Sequence, residues 1–243
     1  MLFRSEPDGY TLLSTPQSPL VVNQHLAKLK FDPAEFVPVI LVNRIPNAVI
    51  VGPSVQARSL KELIDNAKAN PDKLTSATQG VGSSAHLITE MFQTMAGIKF
   101  RQVPYRGSAP ALNDLVAGNV DVMFDNLGSS LGLVQGGKLR MLALTAPKRM
   151  AALPDVPIVA EILPGFESDT WNAIVAPPNT PKAIVDKINA DAAEAMRQPQ
   201  VVERFRSLSA EPISGSAQDA VVFVRQETER WGKVIRDAGI TPQ

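Results

Sequence analysis

The chain has no cysteine among its 243 residues. Disulfide bonds, thiolate nucleophiles and cysteine-ligated metals are therefore excluded, although the redox compartment cannot be inferred from this absence. The only histidines are His25 and His86, which argues against a multi-histidine metal site. Aromatic residues make up only 5% of the chain, and 24 basic residues balance 24 acidic ones. A nucleic-acid groove, which needs excess positive charge and stacking rings, is not expected.

Long apolar runs are also absent. No run reaches the ~18 residues that span a bilayer, and no signal-peptide pattern is visible. The apolar fraction of 44% is ordinary, so the length predicts one large or two small globular domains with full cores. We expect no metal and no cofactor.

Short β-rich runs alternate with helical patterns along the chain, which is typical of an α/β fold. Strands are predicted at residues 11–14, 37–42, 48–51, 74–77, 100–103, 120–124, 141–145 and 172–176. Helix starts are predicted where a capping side chain precedes an apolar periodic stretch. These starts are Ser59 with Glu62, Thr180 before Pro181, and Ser216 with Asp219.

The segment 74–87, which reads LTSATQGVGSSAHL, joins a predicted strand to a predicted helix. Gly80 and Gly82 allow a tight turn with outward-pointing N–H groups, and Ser83 or Ser84 can cap the helix. The exposed helix N-terminus offers donors and a positive dipole end to a carboxylate or phosphate, at about 0.3 to 2 kcal/mol per contact. The motif therefore predicts anion binding. The predicted buried face of the helix consists of Leu87, Met91 and Met95.

Two loops are predicted to separate two lobes. Gly52-Pro53 follows the strand at 48–51, and the loop at 163–166 precedes the strand at 172–176. We therefore predict one lobe from residues 1–52 and 171–243 and a second from residues 53–170, with the ligand cleft between them.

Two enzymatic alternatives use residues of this motif. G-x-G-x-x-A at 80–85 satisfies the dinucleotide fingerprint of an NAD(P)-dependent oxidoreductase, but residues 101–103 supply no ribose-binding acid. Ser83, His86 and Asp125 are the residue types of a hydrolase triad, yet no G-x-S-x-G elbow is present. We expect His86 to be a first-turn helix residue with a satisfied imidazole. A purely structural role for the two glycines stays open.

Other candidate residues each have a structural alternative. Arg106 either clamps a carboxylate or makes structural bonds in an exposed loop. Asp125 and Asn126 end a strand and either line the site or cap a turn. Trp171 either stacks on a ligand or belongs to the core at a hinge, and Trp231 is predicted to be core.

Several short segments follow one another in the order of a known family. They are 7–12 (PDGYTL), 59–63 (SLKEL), 80–87 (GVGSSAHL), 103–112 (VPYRGSAPAL), 121–126 (DVMFDN), 153–157 (LPDVP) and 177–181 (PPNTP). On these segments, which run over nearly the whole chain, the sequence resembles the Bug-type solute receptors of tripartite tricarboxylate transport systems. Those receptors are bacterial periplasmic substrate-binding proteins.

The resemblance implies a two-lobed Venus-flytrap fold that closes on a small organic acid and presents it to membrane transporter subunits. It implies a periplasmic location, and we expect a monomer. Thr15 and Ser18 correspond to a ligand-side loop of the family, although residues 15–19 (TPQSP) depart from the small Gly, Ser and Thr residues expected there.

The family resemblance also concerns the start of the chain. Family members carry an export signal, a first strand, a glycine-rich loop and a first helix before PDGY, where this chain has residues 1–6. We therefore expect the first strand and helix of lobe 1 to be missing. We also expect the chain to express poorly and to bind no acid unless a family-like segment is restored.

The sequence thus predicts a non-enzymatic receptor for a small carboxylate. Backbone N–H groups and hydroxyls from Thr78 to Ser84 are expected to hold one carboxylate, while Tyr105, Arg106 and Gly107 wall the pocket. Closure about two hinge strands would exclude water and strengthen each hydrogen bond. The open alternatives are the oxidoreductase and a two-lobed effector-binding module of a transcription regulator, for which no helix-turn-helix segment is recognisable.

Overall fold

Two β-sheets with packed helices account for the regular structure of the chain. The structure is a computed structural model and describes residues 4–240. Its contacts define a first unit, which contains the described residues up to Arg44 and from Thr170 onward, and a second unit, Ile45–Asp169. Both units contain strands and helices, which confirms the predicted α/β class.

The regular elements are as follows. The strands are β1 (Leu13–Pro16), β2 (Val37–Ile45), β3 (Asn47–Val51), β4 (Thr75–Thr78), β5 (Arg101–Pro104), β6 (Val122–Asn126), β7 (Arg140–Leu144), β8 (Thr170–Ala176) and β9 (Glu211–Pro212). The helices are α1 (Asn23–Leu26), α2 (Leu60–Ala69), α3 (Ser84–Ala96), α4 (Ser108–Ala117), α5 (Leu127–Gln135), α6 (Lys182–Met196), α7 (Pro199–Ser207) and α8 (Ala217–Asp237). Among residues 4–240, no helix has both the length and the apolar content to cross a membrane.

The first unit is built on a sheet of strand order β1-β8-β2-β9. β1 pairs antiparallel with β8, with Leu13 opposite Val175. Apolar residues of β2 and β8 pack against α6, where Val185 and Met196 are buried. A π-helical turn at Ser18–Val22 packs against α8.

The second unit is built on a sheet of strand order β5-β4-β6-β3-β7. β4 pairs in parallel with both β5 and β6, whereas β3 pairs antiparallel with β6 and β7. All five residues of β3 are buried, as expected for a strand covered on both faces. Met123 of β6 packs in one core cluster with Leu115 of α4. Its neighbour Phe124 contacts Phe92 of α3, with ring centroids 5.1 Å apart, because successive side chains of a strand point to opposite faces.

Every strand predicted from the sequence is present, with ends displaced by a few residues. The boundaries between the units differ from the predicted ones. β3 pairs with β6 and β7, so it belongs to the second unit, and the first boundary lies before Ile45 instead of after Gly52. The second boundary lies between Asp169 and Thr170. β9 was not predicted, because two residues give no periodic signal.

The predicted starts of α2 and α8 are confirmed. The Ser59 hydroxyl accepts a hydrogen bond from the Glu62 N–H at 3.2 Å, and Ser216 accepts one from the Asp219 N–H at 3.1 Å. The prediction for α6 is wrong, because Thr180 does not cap that helix. Its hydroxyl donates to the Pro177 carbonyl at 2.8 Å and so closes the preceding turn.

The predicted buried face of α3 is correct for its first two residues and wrong for the third. Leu87 and Met91 are buried, but Met95 is 40% exposed. A strict four-residue spacing advances by about 40° per step around a helix of 3.6 residues per turn, so the third position leaves the core. The face is completed by Ile88, Phe92 and Ala96.

One buried carboxylate joins two helical turns to the sheet of the first unit. Glu227 of α8 is 8% exposed. It accepts hydrogen bonds from the indole N–H groups of Trp171 at 2.9 Å and Trp231 at 3.2 Å. Arg230 adds a bidentate ion pair at 2.7 and 2.9 Å. Glu227 therefore compensates three buried or half-buried donor groups at once.

Replacement of Glu227 tests this role. We expect Glu227→Ala to lower the free energy of unfolding by about 3 to 5 kcal/mol, because it leaves two buried indole donors and a partly buried guanidinium without their acceptor. Urea denaturation followed by circular dichroism measures the change. The matched control is Glu229→Ala on the same helix, whose exposed ion pair with Arg225 should contribute less than about 1 kcal/mol. Equal small losses in both variants would contradict the assignment.

Candidate functional site

Three parallel strands of the second unit end at one edge of the sheet, and each is followed by a helix. β4 leads into α3, β5 into α4 and β6 into α5. Because β4 is parallel to both neighbours, the three helices begin at the same edge. Carboxyl ends of parallel strands are the usual ligand edge of an α/β sheet, and helix N-termini there favour anions.

The loop between β4 and α3 is a tight turn with two left-handed glycines. Gly80 has φ of 118° and Gly82 has φ of 77°, a region that side-chain-bearing residues rarely occupy. The Ser83 N–H donates to the Gly80 carbonyl at 3.1 Å. Ser83, and not Ser84, is the cap of α3, since its hydroxyl accepts from the His86 N–H at 3.2 Å.

His86 accepts a hydrogen bond from one of the backbone N–H groups that were predicted to bind the anion. The Gly82 N–H donates to His86 Nδ1 at 3.2 Å. The N–H groups of Gly82 and Ser83 are thus spent inside the loop, which differs from the predicted cradle of outward-pointing donors. Attraction for an anion must come from the Ser83 hydroxyl and from the dipole ends of α3 and α4. The expectation of a satisfied imidazole is confirmed.

The other side of the imidazole faces a polar cluster. His86 Nε2 lies 3.9 Å from Glu90 Oε1, and Glu90 accepts hydrogen bonds from the side chains of Gln93 and Gln102. Burial lowers the pKa of His86 and raises the pKa of Glu90. A neutral imidazole with its proton on Nε2 fits both neighbours, because Nδ1 must accept from Gly82.

The arrangement of a hydrolase triad is not formed. The Ser83 hydroxyl contacts the backbone N–H of His86, not its ring. Asp125 is bonded to Gln79 and Ser108, and neither bond involves His86. The contacts of these three residues therefore lack the geometry that the chemistry needs.

The loop between β5 and α4 lies against the glycine turn. The Tyr105 N–H donates to the Thr78 carbonyl at 2.9 Å, and the Tyr105 hydroxyl donates to Asp114 at 2.7 Å. Burial, with the hydrogen bond to Asp114, raises the pKa of Tyr105 to about 12, so the phenol stays neutral. Gly107, with φ of 106°, precedes α4. Arg106 is exposed, and no described residue forms a side-chain bond with it.

Asp125 ties the two loops together from the end of β6. It is fully buried, at 0% exposure. Its Oδ1 accepts from Gln79 Nε2 at 2.5 Å and from the Ser108 hydroxyl at 2.9 Å. Gln79 precedes the glycine turn and Ser108 begins α4. Burial raises the pKa of Asp125, while donors from Ser108, Gln79 and the nearby Asn126 backbone pull it down.

The structure brings together most of the predicted site residues. Those from β4, β5, β6 and the loops that follow them share one edge of the second unit: Thr78, Gly80, Gly82, Ser83, Ser84, Tyr105, Arg106, Gly107, Asp125 and Asn126. Gln79 and Ser108 were missed. Their signal is their position, since each lies at a strand-to-helix junction beside a glycine.

Three predicted residues belong to the first unit. Thr15 is buried in β1, and its hydroxyl donates to the Pro16 carbonyl at 3.0 Å. Ser18 begins the π-helical turn. Trp171 is 1% exposed and packs edge-on against Phe223, with ring centroids 5.2 Å apart. This burial favours the alternative that Trp171 is a core residue.

The chain is similar in sequence to proteins of a known family. A family model described as the tripartite tricarboxylate transporter family receptor matches residues 1–240. Protein BugT of Bordetella pertussis is 35% identical over 240 residues, which cover 97% of this chain and 74% of BugT.

Three solved structures are similar to this chain in both sequence and fold. R. palustris Rpa4515 with adipate is 37% identical with a TM-score of 0.89, over 100% of this chain and 82% of that one. The periplasmic binding protein BugD is 32% identical with a TM-score of 0.85, over 100% and 82%. MatC from Rhodopseudomonas palustris with bound malate is 29% identical with a TM-score of 0.83, over 96% and 82%.

The fold is therefore that of the periplasmic binding proteins. This chain belongs to the tripartite tricarboxylate transporter family of receptors.

The His86 bond to the glycine turn predicts a pH effect. The native pKa of His86 is lowered, so between that value and the ordinary value of about 6.5 the unfolded chain binds more protons than the native one. Stability contributed by His86 is complete above pH ~6.5 and falls as the pH drops through this window. The variant His86→Asn keeps an acceptor for Gly82 but cannot titrate. We expect the wild type to lose stability relative to His86→Asn between pH 7.5 and 5, measured by urea denaturation. Parallel pH profiles of the two proteins would refute this role.

Proposed function

We propose that this chain is a non-enzymatic receptor that binds a small organic acid at the edge of the second sheet. The observation that carries the proposal is the start of α3, α4 and α5 at one edge, with the Ser83 hydroxyl at the first of them. Membership of the receptor family supports it, as do the adipate and malate in two similar structures.

The proposed contacts come from three loops. The Ser83 and Ser84 hydroxyls and the dipole end of α3 attract one carboxylate. Thr78, Gly80 and Gly82 shape the turn so that a ligand approaches the backbone closely. The second loop supplies Tyr105, Arg106 and Gly107 beside this turn, and the end of β6 supplies Asp125 and Asn126. Thr15 and Ser18 stay predicted contacts of the first unit.

The energies required are modest. A micromolar ligand needs about 8 kcal/mol in total. Hydrogen bonds to a charged group contribute about 1.5 to 3 kcal/mol each, so a few hydroxyl bonds and two helix dipoles suffice. The exposed Arg106 adds a bidentate partner for a carboxylate oxygen pair.

Membership of the family supports a cellular role. Relatives of this chain are periplasmic binding proteins. We propose that the receptor acts in the periplasm as a monomer and delivers its acid to the membrane subunits of a tripartite tricarboxylate transporter.

Ligand-dependent stability tests the class. In a version with a family-like segment restored ahead of Pro7, we expect one or a few dicarboxylates, aromatic acids or acidic amino acids to raise the melting temperature. A ligand at one hundred times its dissociation constant adds about 2.7 kcal/mol to the free energy of unfolding. Differential scanning fluorimetry with an acid panel makes the measurement, and NAD and NADP serve as controls. A response to a dinucleotide and to no acid would favour the oxidoreductase.

A matched pair of cap variants tests the position of the site. Ser83 and Ser59 are both N-caps, of α3 and α2, but only Ser83 lies at the proposed ligand edge. We expect Ser83→Ala and Ser59→Ala each to cost about 0.5 to 2 kcal/mol of stability. Only Ser83→Ala should weaken acid binding, by about 0.5 to 2 kcal/mol, in isothermal titration calorimetry. Unchanged affinity in folded Ser83→Ala would place the ligand elsewhere.

A further inference from the structure

The carboxyl group of Asp125 is unusual for a site that binds acids. It is buried at the end of β6, between the two loops that carry the other proposed contacts. Within residues 4–240 it forms no ion pair with a lysine, arginine or histidine. A negative charge in this position opposes the anion that α3 and α4 attract.

The two oxygens of Asp125 are used unequally. Oδ1 accepts from both Gln79 and Ser108, whereas Oδ2 is buried and, among the described residues, has no hydrogen-bond partner. A buried carboxylate oxygen without a donor is costly, and such groups in native proteins call for a specific explanation. A ligand donor that approaches this carboxyl group would relieve the cost.

We propose that Asp125 makes the site selective for organic acids that carry a hydroxyl or ammonium donor beside the bound carboxylate. This proposal rests on the proposed function. A plain acid brings only negative charge to the space between the loops, so Asp125 repels it. An acid with a neighbouring hydroxyl or ammonium group places a donor there, and an ammonium group also offsets the charge.

Asp125 favours donor-bearing acids in two ways, by direct contact and by its charge. Direct contact requires a local rearrangement around Asp125, because Oδ2 is buried. The charge of Asp125 also acts without contact, since electrostatic interactions in a poorly hydrated interior extend over several ångströms. Both routes favour the donor-bearing acid over its plain counterpart.

Matched acids of equal chain length test the proposal in a version that keeps Asp125 and has a family-like segment restored ahead of Pro7. Isothermal titration calorimetry compares succinate with malate and aspartate, and adipate with 2-hydroxyadipate and 2-aminoadipate. We expect a donor-bearing acid to bind at least about tenfold more tightly than the plain acid of the same length. Equal or tighter binding of the plain acids would overturn the proposal. If no acid binds at all, the proposed function itself fails.

The variant Asp125→Asn assigns the effect to this residue. Its amide oxygen can still accept from Gln79 and Ser108, but the charge is removed. We expect the preference for donor-bearing acids to fall to less than about threefold, through tighter binding of plain acids and weaker binding of the others. The control is Asp65→Asn on α2, an exposed partner of Lys61, which should keep the wild-type preference. An unchanged preference in folded Asp125→Asn would overturn the assignment. If that variant does not fold, the wild-type comparison decides.

Discussion

The candidate site depends on the register between β4 and β6, and one side chain fixes that register. The Asp121 carboxylate accepts from the Thr75 N–H at 2.8 Å and from the Thr75 hydroxyl at 2.7 Å, while the Asp121 N–H donates to the Thr75 carbonyl at 3.2 Å. The Ser54 hydroxyl donates to the other Asp121 oxygen at 3.1 Å. Parallel strands lack the two-residue hairpin that sets antiparallel register. Here the register is set by bonds between Thr75, the first residue of β4, and Asp121, which directly precedes β6. A slip at this end would move Thr78 and Asp125 out of alignment at the other.

Hydrogen bonds inside the loops hold the candidate site in one arrangement. The glycine turn is held by Gly82 to His86 and by Ser83 to Gly80, and Asp125 holds this turn against α4. These bonds use donors that an open cradle would offer to a ligand. The loops have fewer free donors but are preorganised, because a loop already held in place loses less entropy when an anion binds.

Local patterns predicted the elements well, because strand alternation and helix caps depend on neighbouring residues. Ser59, Ser83 and Ser216 have the cap roles that their positions indicate. The unit boundary was misplaced, since Gly52-Pro53 marks the end of a strand and carries no information on which sheet that strand joins. The contacts of Asp125 with Gln79 and Ser108 span 46 and 17 residues. No periodicity reports such distant pairs, so Asp125 was predicted as a candidate site residue while its partners Gln79 and Ser108 were not.

The two tryptophans have a consequence for spectroscopy. The chain contains only Trp171 and Trp231, and both indoles donate to Glu227 in the first unit. Their fluorescence emission therefore originates from one polar point in that unit's core, next to a carboxylate that quenches or shifts it as the environment changes. Neither tryptophan belongs to the second unit. An emission change on adding an acid would therefore register a change within the first unit, so the native chain reports that unit's response without an added label.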